Sequence, residues 1–319
     1  MREQILKLLR GAEEVSGQAL SEQLGISRAA VAKHVKILRG EGYDISAAPH
    51  RGYRFISAPD VLSAAEIACY LSEPQAGWQI HYFAELNSTT TLLRNRAEQG
   101  APHGTVIIAE QQTEARGRLN RGWYAPPDSG LWMSYLLRPP FSPQLAQTIT
   151  LTSACAVALA LERLGFRCGI KWPNDILSPT GLKLCGIKSD ICADMDSVQW
   201  LITGIGLNIN TSSFPQTLEK KAGSLYLLSG HKQARAPIAA AILDELYRLY
   251  QILLAQGFKP IREIWLQYAV SLGQEVRISD INEEYTAQAL DLDENGYLLV
   301  ERNGQMQTII SGDILAPGP

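Results

Sequence analysis

The hydrophobic periodicity of this chain changes character twice, and no single packed layer of secondary structure can satisfy all three patterns. Near the N-terminus apolar side chains recur at helical spacing: Ile5, Leu6, Leu8 and Leu9 share one side, and Ala30, Val31, Val35 and Leu38 share another. From about Leu62, strand-like apolar runs (105–109, 131–136, 169–171 and 200–205) alternate with helical ones (89–99, 146–164 and 238–255). That alternation predicts an α/β (α+β) central domain. Beyond Leu272 short strands take over, at 276–279, 285–292, 297–301 and 306–311, with Asn295-Gly296 and Asn303-Gly304 between successive strands. Asn-Gly is the strongest short hairpin signal, so the last segment predicts a small β-barrel. Ser57, Ala58, Pro59 and Asp60 form a hinge, which divides the chain into domains at 1–60, 61–270 and 271–319.

Composition excludes some classes. With 46% hydrophobic and 19% charged residues the chain is not globally disordered, and a net charge of -3 provides no whole-chain attraction to nucleic acid or to a membrane. Residues 1–10 alternate apolar and charged side chains, unlike a signal peptide, and the apolar stretch 149–161 is too short to span a bilayer. Five cysteines without paired short spacings fit a reducing compartment, so a cytoplasmic location without membrane attachment is expected.

Charge is nevertheless segregated locally. No acidic residue occurs from Gln23 to Arg39, while Arg28, Lys33, Lys36 and Arg39 are basic and His34 lies among them. A helix at 18–24, a turn at Gly25 and a third helix capped by Ser27 spell a helix-turn-helix. Two short strands, 43–47 and 53–56, joined through Pro49, His50, Arg51 and Gly52, add a basic wing. Ser27, Arg28, Lys33, His34, Lys36 and Arg51 are therefore the candidate DNA contacts.

Four segments of the central domain carry chemistry. Glu110 to Trp123 reads E-Q-Q-T-E-A-R-G-R-L-N-R-G-W, with Arg116, Arg118 and Arg121 interleaved with Gly117 and Gly122 after an apolar strand. Arginines on such a loop can fork onto phosphate oxygens while the backbone approaches closely. Lys171 to Asp175 reads K-W-P-N-D at the end of a strand, where sheet proteins commonly place ligands. K-L-C-G-I follows at 183–187 and G-I-G-L-N-I-N at 204–210. No Walker-type phosphate loop and no G-x-G-x-x-G is present. Taken alone, these residues predict an anion-binding domain joined to a DNA-binding module.

The motifs R-G-R-x-x-R-x-W, K-W-P-N-D, K-L-x-G-I and G-x-G-x-N, in this order behind a helix-turn-helix, resemble the bacterial biotin protein ligases that double as biotin operon repressors. The resemblance extends over the whole chain. It implies a central domain built on a mixed sheet, an SH3-like C-terminal barrel and an enzyme that joins biotin and ATP, with Mg²⁺, into biotinoyl-5'-adenylate. Biotin then passes to a lysine of the biotin carboxyl carrier protein of acetyl-CoA carboxylase. It also implies that the adenylate acts as corepressor, promoting a homodimer that binds operator DNA. The chemistry needs cations, because a carboxylate attacking an α-phosphate brings two anions together.

By the same resemblance the catalytic set is Lys183, Arg118, Arg116 and Asp175. Biotin would be held by Ser88, Thr89, Thr90, Gln112, Arg116, Gly117, Arg118, Lys183, Gly186 and Gly204. The nucleotide would be held by Arg118, Arg121, Trp123, Lys171, Asn174 and Asn208, and Asn174 and Asp175 would orient the reacting end or a metal. Ala115 and Asn120 stand where the family usually has glycines; a positive φ at position 115 would cost alanine about 1 kcal/mol and loosen the arginine loop. Two rivals are weighed: a pure sensor, free to lose Lys183 or Arg118, and a lipoate-type ligase, against which K-W-P-N-D and the winged domain argue. Cys185, inside a site motif, is expected to be a small buried hydrophobe.

Overall fold

The structure, a computed structural model, describes residues 1–48, 51–73, 76–279 and 283–315. By backbone proximity it divides into two units, Met1–Leu71 with Ala234–Ala240, and Ser72–Gln233 with Ala241–Pro319.

In the first unit, α1 (Arg2–Arg10) buries Ile5, Leu6 and Leu9. Helix α2 (Gly17–Leu24) starts at Ser16, whose Oγ accepts from the Ala19 N–H at 3.0 Å, and ends at Gly25 with φ 64°. Helix α3 (Arg28–Gly40) starts at Ser27, whose Oγ accepts from the Ala30 N–H at 3.2 Å. Its Val31, Val35 and Leu38 close one core with Ile5, Leu6, Leu9 and Leu20, while Ala30 stays half-buried. Strands β1 (Asp44–Ala48) and β2 (Gly52–Ser57) pair antiparallel as the wing, and Pro49 and His50 of its connection lie outside the described residues.

Gly52 is required where it stands. Its φ is 98°, and a Cβ there would lie 2.3 Å from the Val15 carbonyl oxygen, because Val15 and Tyr53 exchange two backbone hydrogen bonds of 2.8 Å beside it. Helix α4 (Ala64–Ala68) brings the buried Glu66 carboxylate to Arg10 at 2.5 Å and to the Tyr43 hydroxyl at 2.7 Å. The Arg10 guanidinium also sits 4.7 Å from the Phe55 ring centroid and 4.6 Å from that of Tyr70. This buried charge is thus paired and its cation flanked by aromatic faces.

The second unit is organised by β3 (Gln79–Leu86), α5 (Thr89–Glu98), β4 (Thr105–Gln112), β5 (Gly130–Leu137), α6 (Ala146–Arg163), β6 (Gly169–Lys171), β7 (Asp175–Leu177), β8 (Lys183–Ala193) and β9 (Val198–Asn208). The strands form one seven-stranded sheet in the order β3-β4-β5-β9-β8-β7-β6; β3 and β4 run parallel and every other pair is antiparallel. The expected mixed sheet is therefore present. Strand β5 is buried along its whole length because it lies inside the sheet with helices on its faces, and α6 is the buried apolar helix anticipated at 149–161.

Helices α7 (Leu225–Ser229), α8 (Arg235–Gln256) and α9 (Lys259–Tyr268) follow. Asp60, in the hinge segment, accepts from the Arg235 backbone N–H at 3.0 Å and from its Nε at 2.9 Å, and the Arg235 side chain is fully buried. No described helix is long and apolar enough to cross a membrane.

The C-terminal strands are β10 (Glu275–Ser279), β11 (Glu284–Leu292), β12 (Leu298–Arg302), β13 (Gln305–Ile309) and β14 (Asp313–Leu315). They form an antiparallel sheet in the order β13-β12-β11-β10-β14. Its edges β13 and β14 do not pair among the described residues, so this is an open five-stranded sheet, where a closed barrel was anticipated. Asn303 and Gly304 both have positive φ, 54° and 74°, as a two-residue Asn-Gly hairpin requires. The other Asn-Gly belongs to a longer loop, in which the Asp293 carboxylate accepts from the N–H groups of Asn295 and Tyr297.

Candidate active site

Three glycines make the floor. Gly186 on β8 and Gly204 and Gly206 on β9 occupy neighbouring rows of the sheet: Trp132, Gly206, Gly186 and Asp175 lie in one row, Ser134, Gly204 and Lys188 in the next. A Cβ on Gly204 would come 2.9 Å from Thr90 Oγ1, and one on Gly206 would come 2.7 Å from Trp123 Nε1. On Gly186 it would meet the Trp123 ring at 2.9 Å and Lys183 Cε at 3.1 Å. Glycine is needed at all three because side chains cross the sheet there at van der Waals distance.

At one end of this floor lies a network of neutral hydroxyls. Gln112 Oε1 accepts from the Thr89 backbone N–H at 2.7 Å and from Thr89 Oγ1 at 3.1 Å. The Ser134 hydroxyl joins Thr89 Oγ1 at 2.8 Å and Thr90 Oγ1 at 3.0 Å. Ser88 caps α5 through its contact with the Thr91 N–H at 3.4 Å. Such a set suits a neutral polar ring held by a few fixed groups.

At the other end charges converge. Lys183 Nζ lies 2.6 Å from Asp175 Oδ1, and Lys171 Nζ lies 3.4 Å from Asp175 Oδ2. Lys183 Nζ is also 5.4 Å from the centroid of the Trp123 ring. Asn174 is nearly buried; its Nδ2 donates to the Ile187 carbonyl at 2.7 Å and its Oδ1 accepts from Arg118 Nη1 at 3.3 Å. Asn208 is buried as well, and its amide is spent on the carbonyls of Gly223, at 3.0 Å, and Lys183, at 3.4 Å. It fixes the backbone that carries Lys183.

The arginine loop is closed by its own backbone: Gly117 N–H donates to the Arg121 carbonyl at 2.8 Å, and Trp123 N–H donates to Ala115 at 3.0 Å. Ala115 lacks positive φ and packs with Ala125, Trp132 and Trp123, so the condition under which alanine would strain the loop is not met. The left-handed residues are Leu119 and Asn120, with φ 51° and 58°. Asparagine tolerates that region; leucine does not, and it stands 71% exposed at the tip. Arg116 is exposed and reaches the Asn120 carbonyl at 3.5 Å. Arg118 and Arg121 both turn to Asp313 of β14, at 3.3 and 2.8 Å.

Asp313 and Gly206 were not among the candidates read from the sequence. Gly206 lay inside the quoted G-x-G-x-N motif, but Asp313 stands 192 residues beyond Arg121 with no local signal. Trp123 Nε1 is buried without a hydrogen-bond partner among the described residues, so a donor faces the floor unused. No group of three or more His, Cys, Asp or Glu able to hold a metal exists among the described residues, and the Asp175 carboxylate is already shared by two lysines. Burial pushes the Cys185 thiol well up, which keeps it neutral and inert.

In the first unit, Ser27, Arg28, Lys33, Lys36 and Arg51 are exposed and His34 is half-buried. Arg39 Nε donates to the Ile45 carbonyl at 2.7 Å, which ties the end of α3 to the wing.

A winged helix-turn-helix together with a glycine-floored, cation-lined site on a mixed sheet defines a ligand-activating enzyme that carries a DNA-binding module. Residues 1–54 match the HTH domain family, residues 82–208 the biotin/lipoate A/B protein ligase family, and residues 271–315 the biotin protein ligase C-terminal domain. The bifunctional ligase/repressor BirA of Bacillus subtilis is 38% identical over 319 residues, 98% of each chain. The BirA of Escherichia coli is 27% identical over 311 residues, covering 97% of this chain and 95% of that one. A solved biotin protein ligase from Aquifex aeolicus, in complex with biotin and ATP, superposes with a TM-score of 0.66 at 27% identity, covering 74% of this chain and 97% of its own. The chain belongs to the family of bifunctional biotin ligase/repressors.

Proposed function

We propose that this protein joins biotin and ATP into biotinoyl-5'-adenylate, transfers biotin to a lysine of a biotin carboxyl carrier protein of acetyl-CoA carboxylase, and represses the biotin operon with the adenylate as corepressor. The observation that carries the reading is the meeting of Lys183, Lys171 and Arg118 around Asp175 and Asn174, at the end of a floor whose other end is the Thr89–Gln112–Ser134 network.

In the first step a biotin carboxylate oxygen attacks the α-phosphorus, the bond to the bridging oxygen breaks, and pyrophosphate leaves. Lys183, Arg118 and Arg116 offset the negative charge that gathers on the nonbridging oxygens. Asp175 holds Lys183 between turnovers, so the ammonium is kept in place. In the second step the carrier lysine's amine attacks the acyl carbon, AMP leaves, and the amine loses its proton.

Ser88, Thr89, Thr90, Gln112 and the backbone at Gly117, Gly186 and Gly204 hold biotin. Arg121, Trp123, Lys171, Asn174 and Asn208 build the nucleotide side, Asn174 by aiming Arg118 and Asn208 by anchoring Lys183. Mg²⁺ suits the polyphosphate of ATP better than a protein cage, because it keeps several waters and takes one or two carboxylates beside substrate phosphates, and no carboxylate cluster occurs among the described residues. Bound there, it would offset phosphate charge.

Ser27, Arg28, Lys33, His34, Lys36 and Arg51 meet operator DNA, and a homodimer promoted by the adenylate pairs two such modules. We read the C-terminal sheet as an SH3-like module, residues 1–60, 61–270 and 271–319 as three functional domains, and the protein as cytoplasmic. The test is incubation with ATP, Mg²⁺, labelled biotin and an apo carrier domain: label on the carrier lysine supports the ligase, and binding of biotin without label would make the protein a sensor.

A further inference from the structure

Arg118 and Arg121 are brought together by one carboxylate outside the ligase sheet. Asp313 Oδ1 lies 3.3 Å from Arg118 Nη1, and Asp313 Oδ2 lies 2.8 Å from Arg121 Nη1. The neighbouring Gly312 carbonyl accepts from Arg118 Nη2 at 3.2 Å, so two consecutive residues at the start of β14 grip the same guanidinium. Asp313 is itself fixed, because β14 pairs with β10 at Asp313 opposite Ser279 and its side chain is only 16% exposed. A Cβ on Gly312 would come 3.1 Å from the Ser279 carbonyl oxygen, so the approach is close.

The loop it holds is closed at its base by backbone hydrogen bonds but strained at its tip. Two successive non-glycine residues, Leu119 and Asn120, take left-handed backbone at its tip, and Leu119 buries little surface there. A left-handed leucine is strained, so an outside anchor helps to hold the tip in this conformation. Two arginines side by side also repel one another unless an anion lies between them.

We propose that Asp313 is a positioning residue for the ligase reaction: it orders the arginine loop before nucleotide arrives and holds Arg118 and Arg121 as a ready pair for the adenylate phosphate. The grip uses only part of each fork. Among the described residues Arg118 Nε makes no contact and only Nη1 of Arg121's guanidinium is engaged, so donors remain for a phosphate without release of Asp313. Charge arithmetic agrees: two guanidinium cations balance one carboxylate and one singly charged adenylate phosphate.

This inference rests on the proposed ligase reading. It is tested with the full-length protein and two variants, Asp313→Asn and Asp313→Glu, by three measurements: the half-life of biotinoyl-5'-adenylate on the protein, the KM for ATP beside kcat for pyrophosphate release, and trypsin cleavage after Arg116, Arg118 and Arg121 without nucleotide. Loss of a charge-assisted pair predicts about a tenfold shorter adenylate half-life and about a tenfold higher KM for ATP in Asp313→Asn, with kcat changed less. Loop cleavage should accelerate while the melting temperature stays within about 2 °C of the parent. Asp313→Glu, which keeps the charge, should restore most of each value. Parental half-life and cleavage in Asp313→Asn would overturn the proposal, as would a loss that Glu does not rescue and that follows the melting temperature. A parent protein that makes no adenylate would instead overturn the ligase reading, and the cleavage measurement would still judge the grip on the loop.

Discussion

Lys183 and Asp175 meet across neighbouring strands of the central sheet, ammonium to carboxylate at 2.6 Å, while Lys171 approaches the second carboxylate oxygen at 3.4 Å. One carboxylate thus stores two cations at the place where the proposed reaction brings two anions together.

Lys183→Ala should leave the fold intact, because Asp175 keeps Lys171 as its partner. Biotin-dependent pyrophosphate release should fall by about 10²–10³, the usual cost of one donor aimed at transition-state charge. Release at the parental rate would remove Lys183 from the reaction.

Arg118→Gly should still permit synthesis of the adenylate but let it escape, since Asn174 and Asp313 then face no guanidinium at that position. Mass spectrometry should find biotin on bystander lysines of a carrier-free protein mixture. Labelling confined to the proper carrier would contradict this role.

Gly204→Ala places a methyl 2.9 Å from Thr90 Oγ1 and 3.4 Å from Ser134 Oγ, in the middle of the hydroxyl network. Biotin affinity should drop by at least about tenfold, equal to one lost hydrogen bond of ordinary strength. Calorimetric titration with biotin measures it; unchanged affinity would mean that biotin does not use this end of the floor.

Lys33→Ala and Lys36→Ala remove exposed cations from α3. If each neutralises one phosphate, the slope of log affinity against log salt should fall by about 0.9 per substitution on duplex operator DNA. Mobility shifts over a salt series test this, and an unchanged slope would take these lysines off the DNA.

Stability should rise with pH through the range where histidine titrates. His103 Nδ1 accepts from the Arg138 backbone N–H at 3.2 Å and packs against the Tyr250 ring at 5.5 Å, and desolvation holds its pKa below the ordinary value. The unfolded chain therefore binds a proton at higher pH than the folded one. Stability falls as pH drops from above the ordinary value of about 6.5 to the lower folded value. His103→Gln should flatten that part of the melting temperature against pH, and an unaltered profile would assign the dependence elsewhere.

Much of the architecture could be read locally. Ser27 caps α3 as expected, and Ser16 caps α2 in the same manner, because a side-chain oxygen and an N–H three residues on are neighbours in any chain that turns into a helix. The winged module, marked by helical spacing, the Gly25 turn and segregated charge, and the α/β alternation of the central domain are local in the same way. Periodicity did not close the C-terminal strands into a barrel, since whether β13 meets β14 depends on curvature, which local pattern does not encode.

The same division runs through the site. Motifs of adjacent residues, K-W-P-N-D, K-L-C-G-I and the arginine loop, mark which side chains carry charge and predict an anion site from sequence alone. Tertiary structure decided their partners: Asp175 holding both lysines, Asn208 spent on the backbone of Lys183, and Asp313 gripping Arg118 and, from 192 residues away, Arg121. It also decided that position 115 is packed and that left-handed backbone falls at Leu119 and Asn120. The physical reason is range. Capping and amphipathicity act within a turn or two of chain, whereas ion pairing and close packing depend on distance in space, which exists only once the strands have found their register.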